Sequence, residues 1–491
     1  MKRAPLTLAA VAAALAAITG AAALTAPASG SGSGAADGRP AAAAARMPVE
    51  RSTLTCPAPS SSDVAETAYT SLTPGGGPAG GGGTARLVGA TPEAKQLLEL
   101  KEPGKPTAAT ASGAEAPALT GTADGTLAPG WTAQLTTKVA VGQARGLLGV
   151  ACAPPGTDFW FPAVSTGKGR HDYVHLTNSD DTPAVVDVQL FGPDGAVRSE
   201  QGGGENIKVG PRSSVAVLLS TLVPGQFADL TAHVTTRSGR VGAVVQVQED
   251  GVGADWLPAS ADPAGRLVLP GIPADATSVR LVAYAPGRDD ADLRIRLAGP
   301  GGSISPAQNE ELHVKAGMTA VADLGDVTRG EPGSLVLTPA DPGQAVGVVA
   351  ALRVVRGTGS KQELGFVAAA GPVGARATVA EQRTEQSSLV LSLTVPAGSA
   401  DARVKVTVSE GAAQEHTVKA GTTLALTPAG GPAKGPWAVT VETVSGGPVH
   451  AARTLTLPAD GVPLFTTQPL VDDRSTVEVP TPHQDLTVLT G

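Results

Sequence analysis

His171 and His175 are the one local pair of histidines in the chain, in the run His171-Asp172-Tyr173-Val174-His175. On a strand, positions 171, 173 and 175 share a face, so both imidazoles point one way while Asp172 points the other. That arrangement suits an ion such as zinc; a polar, solvent-facing strand start accounts for the same residues without one. Acidic clusters offer a second chemistry. Asp180-Asp181 and Asp289-Asp290 with Asp292 fall in comparable loops, where carboxylates suit calcium. None has EF-hand spacing, and aspartate is a common turn former, so turn chemistry is the expectation.

Catalytic signatures are missing from the sequence. It has no Gly-x-Ser-x-Gly elbow outside low-complexity stretches, no His-Glu-x-x-His run and no phosphate loop ending in Gly-Lys-Ser/Thr. With 44 acidic residues and no spacing signal, a glycosidase-like carboxylate pair has no content. No catalytic residue, metal or cofactor is assigned, and the chain is expected to be non-enzymatic. A net charge of -8 with no basic face argues against nucleic acid. Of the four tryptophans, Trp160 and Trp256 recur in Trp160-Phe161-Pro162 and Trp256-Leu257-Pro258. Repetition beside proline points to core or interdomain packing rather than a sugar platform, and Trp437 begins an alternating strand.

The elements that would hold these residues repeat at about 105 residues. Val209-Gly210-Pro211-Arg212, Val314-Lys315-Ala316-Gly317 and Val418-Lys419-Ala420-Gly421 occupy equivalent places, each before an apolar run. Val314 and Val418 are therefore read as repeat core. Upstream, Val186–Leu190, Leu293–Leu297 and Val404–Val408 alternate apolar and polar with period two, each followed by a glycine-bearing turn. High Gly and Pro with 3% aromatics fit many short strands. The expectation is all-β: tandem immunoglobulin-like β-sandwich units in an elongated arrangement. The units are 48–158 (degenerate), 159–254, 255–364 and 365–463, with a terminal strand and tail over 464–491. Thr91–Leu100 is the one helix candidate, and Lys101–Ala128 is expected to be a surface excursion.

The start of the chain bears on compartment. Lys2-Arg3 followed by the apolar Ala4–Ala26 has the layout of a secretory signal, so 1–28 is a signal peptide or an uncleaved anchor. Residues 29–47 are a Gly/Ser/Ala spacer. In an exported chain Cys56 and Cys152 are expected to form one disulfide, closing a loop of roughly 95 residues and contributing about 4 kcal/mol. Neither cysteine has a second ligand at zinc spacing.

The export segment, the Cys56 and Cys152 pair, Trp160-Phe161-Pro162 followed by His175-Leu176-Thr177-Asn178, and the sandwich repeats together resemble an actinobacterial family. Its members are secreted or membrane-anchored and catalogued only as a domain of unknown function. Ser179 stands where a proline is common in that family. Members are often encoded near a large membrane glycosyltransferase, so the resemblance implies an envelope-polymer context and no assigned activity. The expected role is a spacer or binding scaffold in the cell envelope. The second reading is a polysaccharide-binding accessory of a glycan-making or glycan-modifying enzyme. Expected partners are cell-wall polysaccharide or an envelope protein, with the membrane reached only through the N-terminal segment.

Overall fold

Alternation along Ala184–Gly192 buries Val186, Val188 and Leu190, and the same period buries Leu293, Ile295 and Leu297 and then Val404, Val406 and Val408. One face of each strand therefore needs a covering sheet. The computed structural model describes residues 45–479 apart from 76–80, 199–202, 385, 410 and 433, and residues 46–477 form one compact unit. The expected signal segment and most of the spacer lie outside the described residues. Among those described, no helix is long and apolar enough to cross a membrane.

The chain builds β-sandwiches from antiparallel sheets. In the second unit one sheet runs in the order Asp158–Val164, Leu230–Ser238, Ala184–Gly192, Gly195–Val197, with Ile207–Val209 also on Ala184–Gly192. The other runs Ser213–Leu218, Arg170–Asn178, Gly242–Glu249, Gly253–Leu257. The chain crosses repeatedly between the two sheets, so neither can complete itself alone. The third unit repeats this order, and the first and fourth share it without the short edge strand that Gly195–Val197 supplies in the second.

The repeated valines have a common role. Val209, Val314 and Val418 lie opposite Ala184, Ala291 and Ala402, and all six side chains are buried. Three residues after each valine the backbone turns left-handed, at Arg212 (φ 43°), Gly317 (φ 71°) and Gly421 (φ 76°). Asp290 Oδ1 accepts the Ala316 N–H at 2.8 Å, and Asp401 Oδ1 accepts the Ala420 N–H at 2.8 Å. In the second unit Pro183 and Pro211 stand in those two places. The proline has no N–H to satisfy, and the carboxylate is gone with it.

The N-terminal unit departs from expectation twice. Gln96–Leu100 is a strand paired with Ala85–Gly89, not the end of a helix. Leu98 and Leu100 are buried and Glu99 is exposed, so period-two burial overrides the helix-forming composition. Lys101–Ala128 is no surface excursion either. It supplies Thr107–Ser112 and the central strand Leu119–Asp124. The latter hides its pattern because Gly121 must be bare: a Cβ there would lie 2.4 Å from the Trp131 ring.

Tandem sandwiches are present; the elongated arrangement is not. The closing strands Gly146–Ala151, Gly253–Leu257, Glu363–Ala368 and Phe465–Leu470 each pack on the next, and the fourth returns to the first. The opening strands close the same ring. Asp158–Val164 packs on the third unit, Leu267–Ile272 on the fourth, and Arg376–Arg383 on Ala65–Leu72 and Thr132–Val139 of the first. The cause lies in the closing strands, where Gly253–Leu257 and Glu363–Ala368 are buried at every position. Their own sandwich covers one face only, so a neighbour must cover the other. Glycines allow the approach: a Cβ on Gly149 would fall 2.5 Å from Thr466, and one on Gly365 would fall 2.7 Å from the Phe465 ring.

Closure also corrects the tryptophan alignment. Trp160 lies in an opening strand and Trp256 in a closing strand, so they are not equivalent. The counterpart of Trp256, opposite Gln246, is Phe366, opposite Arg353.

Candidate functional site

The two sequence-expected imidazoles are held apart by the strand that carries them. His171 and His175 are four residues apart on Arg170–Asn178, about 13 Å at strand spacing. His171 is half exposed, with Nε2 3.7 Å from Asp250 Oδ1. Asp172 faces the sandwich interior, where Arg170 Nη2 donates to its Oδ2 at 2.7 Å and the Ser165 N–H donates at 2.7 Å. The expected acidic clusters are spent on turns and ion pairs. Asp181 pairs with Arg212 at 2.5 Å, Asp292 with His313 at 2.7 Å, and Asp290 caps its turn. Among the described residues no group of three or more His, Cys, Asp or Glu is placed to hold a metal ion.

His175 does belong to a site. It lines a cavity of about 240 Å³ where the first, second and fourth sandwiches meet, together with Thr55, Cys56, Phe159, Trp256 and Gln468. Cys56 and Cys152 form a disulfide at this wall, joining the two sheets of the first sandwich. Trp256 meets the His175 ring edge-on at 5.0 Å and 75°. Burial pushes the imidazole down to about 4, so it is neutral at pH 7. The indole Nε1 of Trp256 and the amide Nε2 of Gln468 are buried without a hydrogen-bond partner among the described residues. Gly242 keeps the wall close, since a Cβ there would fall 1.9 Å from Thr55 Oγ1.

Beside the cavity runs a buried polar axis. Asp255 accepts the Gly149 N–H at 3.2 Å and the Thr466 hydroxyl at 3.0 Å, so one carboxyl links three sandwiches. Burial pushes it well above the ordinary carboxylate range despite those donors. Glu363 is pushed up the same way, against the opposing field of Arg145, whose Nε is 3.9 Å from Glu363 Oε2. Arg145 donates to the Val252 carbonyl at 2.6 Å and the Gln362 carbonyl at 2.5 Å, joining the first sandwich to the second and third. In the fourth, fully buried Arg453 donates to Glu381 and to Gln468 Oε1. Burial lowers the Arg453 guanidinium, and Glu381 opposes the shift. Thr136 of the first sandwich donates to Glu381 at 3.1 Å.

The axis was readable in principle, because Asp255, Glu363 and Arg453 interrupt otherwise apolar strands: Gly-Ala-Asp-Trp-Leu, Glu-Leu-Gly-Phe-Val and Ala-Ala-Arg-Thr-Leu. A charge inside such a run marks a buried pair or an interface. Trp160 stacks on His233 at 3.5 Å and on Tyr284 at 5.3 Å, between the second and third sandwiches, while Trp437 is core. A second, more open groove of about 380 Å³ lies where the first and fourth sandwiches meet, lined by Glu66, Thr110, Lys138, Gln382, Thr384 and Ser387 among others.

A family model described as a family of unknown function (DUF5719) matches residues 107–429, more than half of the chain. No curated protein matches it.

Proposed function

We propose that this chain, which belongs to the DUF5719 family of unknown function, is a non-enzymatic, exported cell-envelope protein acting as a multi-domain scaffold or binding module. The observation that carries the reading is the Asp255 carboxyl, tied at once to Gly149 and Thr466. The buried Asp255 and Arg453 and the part-buried Arg145 tie sandwiches or strands to one another, which suits a frame that presents surface turns at fixed separations. The Cys56–Cys152 disulfide suits an oxidising compartment, and the signal-like Ala4–Ala26 suits export, with or without retention in the membrane. A role among envelope polymers draws its support from the resemblance of the sequence to an actinobacterial family encoded near a membrane glycosyltransferase. Immunoglobulin-like sandwich topology is part of the same proposal, resting on the strand order of the repeated units.

A polysaccharide-binding accessory is the second reading. It is favoured by the groove between the first and fourth sandwiches, where hydroxyl, amide and ionic side chains stand beside Leu147, Leu455 and Leu457, a mixed lining that suits a sugar ring. Co-sedimentation of the full chain with cell-wall material, before and after removal of attached polysaccharide, separates the two. Binding lost on stripping supports the accessory. A protein partner captured by crosslinking in intact cells supports the scaffold. Turnover of an envelope glycan by the purified chain would overturn the non-enzymatic premise of both.

A further inference from the structure

We propose that the open groove between the third and fourth sandwiches is a binding site for a phosphate dianion, free or carried on a sugar as a monoester. The site stands apart from the polymer reading, because it shares no lining residue with the groove between the first and fourth sandwiches.

The sheet register builds the site. Leu293, Ile295 and Leu297 point into the third sandwich, so Arg294 and Arg296 point out of it. Arg294 lies opposite Thr338 and Arg296 opposite Val336. On the far side of that same strand, Arg266 immediately precedes Leu267, which lies opposite Leu337. Arg266 and Arg294 therefore flank Thr338, about 10 Å apart across two strand spacings, and Arg296 follows Arg294 by about 7 Å. The fourth sandwich covers only the next row of this face. There the Ser334 and Thr394 hydroxyls meet at 2.7 Å, and the Thr423 hydroxyl donates to the Ala298 carbonyl at 2.7 Å. The cover stops short of the arginines and leaves a groove of about 470 Å³, whose opposite wall is the small residues Ala397, Gly398 and Gly421.

Charge names the ligand. Three guanidiniums line the groove and no carboxylate does, on a chain whose net charge is -8. Arg294 is partly engaged, with Nη2 3.8 Å from Glu311 Oε1 and donating to the Ala340 carbonyl at 3.3 Å. The guanidiniums of Arg266 and Arg296 have no hydrogen-bond or ion-pair partner among the described residues. Their donors are backed by the hydroxyls of Ser303 and Thr338. A carboxylate brings one charge and fills one guanidinium fork, leaving the second arginine uncompensated. A phosphate monoester brings close to two charges near neutral pH and three acceptor oxygens, which answers both.

The test uses the full, disulfide-intact chain in a phosphate-free chloride buffer at about pH 7.5, where the monoester is a dianion. Inorganic phosphate, glucose 1-phosphate and glucuronate are titrated by calorimetry. The tighter of the two phosphates is expected to bind saturably, at least ten-fold more tightly than glucuronate. Inorganic phosphate binding as tightly as the sugar phosphate, or more so, assigns the free anion; weaker binding assigns the carried one. Arg266→Gln and Arg296→Gln should each weaken phosphate binding about ten-fold with an unchanged urea midpoint, since neither side chain holds another. Thr338→Glu sets a carboxylate between Arg266 and Arg294 and should abolish binding, whereas Arg403→Gln, at an ion pair outside the groove, should leave it unchanged. The proposal is overturned by the absence of saturable phosphate binding, by equal affinity for glucuronate, or by binding that Thr338→Glu and the two glutamine variants leave intact. None of these results bears on co-sedimentation with cell-wall material, so the two readings fail separately.

Discussion

The outer turns and the central axis of this ring use charge in opposite ways. At the outer turns, Asp290 and Asp401 are exposed and each caps one backbone N–H, a local task repeated in the third and fourth units. At the axis the repeat breaks. Leu148, Asp255, Gly365 and Thr466 occupy the same place in the four closing strands, opposite Thr137, Val247, Val354 and Leu455. An apolar chain, an acid, a bare backbone and a hydroxyl thus hold one position of the repeat, and there the Thr466 hydroxyl donates to the Asp255 carboxyl at 3.0 Å. The repeat specifies each sandwich; departures from it specify how the sandwiches close.

The largest contrast between the two regions is expected from their arginines. Arg453→Met leaves Glu381 buried beside only the Thr136 hydroxyl and the Gln382 N–H, and should cost about 3–5 kcal/mol in urea unfolding. The double variant Arg453→Met/Glu381→Met should recover much of that loss, because no lone charge remains. Arg403→Met, which removes an exposed partner of Glu415, should leave the unfolding midpoint unchanged. Equal effects at the two arginines would dismiss the distinction between axis and surface.

Acid should also act through the interior, by way of His175. Its folded value of about 4 lies below the 6.5 of an ordinary histidine. The unfolded chain therefore binds the extra proton in that window, and stability falls as pH drops from about 6.5 to about 4. Between pH 7 and pH 5 this amounts to about 2 kcal/mol, which His175→Leu should abolish. Asp255 and Glu363 run the other way. Their folded carboxyls are raised, so their contribution is full below the ordinary carboxylate range and declines as pH rises through the raised values. Asp255→Asn should therefore flatten a decline that sets in as pH rises above the ordinary carboxylate range, and unfolding midpoints across pH for the two variants should bend in opposite directions.

Much of the sandwich was legible because its signals are local. Period two in Val186–Leu190, the Val314 and Val418 landmarks and the glycine turns each depend on a few neighbouring residues. Ring closure was illegible for the matching reason. Gly149 and Gly365 carry no local signal of it, although each makes room for a side chain more than 90 positions away, at Thr466 and Phe465. The cavity was half visible: His175 stood out, but Trp256, from the closing strand of the same sandwich, and Gln468, from the fourth, share no spacing with it. Gly365→Ala tests this closure directly. With its Cβ 2.7 Å from the Phe465 ring it should cost about 1.5 kcal/mol, whereas Gly301→Ala, with nothing within 4 Å, should cost little.

The smallest effect returns to the outer turns, and there the three units are not alike. Gly317 and Gly421 take the left-handed conformation with no Cβ to obstruct it, while Arg212 takes it at φ 43°. A non-glycine residue in that region is strained, and the second unit also lacks the aspartate that caps the other two turns. Arg212→Gly should relieve the strain and stabilise the chain by about 0.5–1 kcal/mol, less whatever the exposed Asp181 contact supplies. Gly317→Arg should destabilise the third unit by a similar amount, because the same backbone would then carry the same burden. If Arg212→Gly is instead destabilising, the Asp181–Arg212 pair at 2.5 Å outweighs the backbone strain. The second turn would then be held by its side chains, where its two counterparts are held by a cap and a glycine.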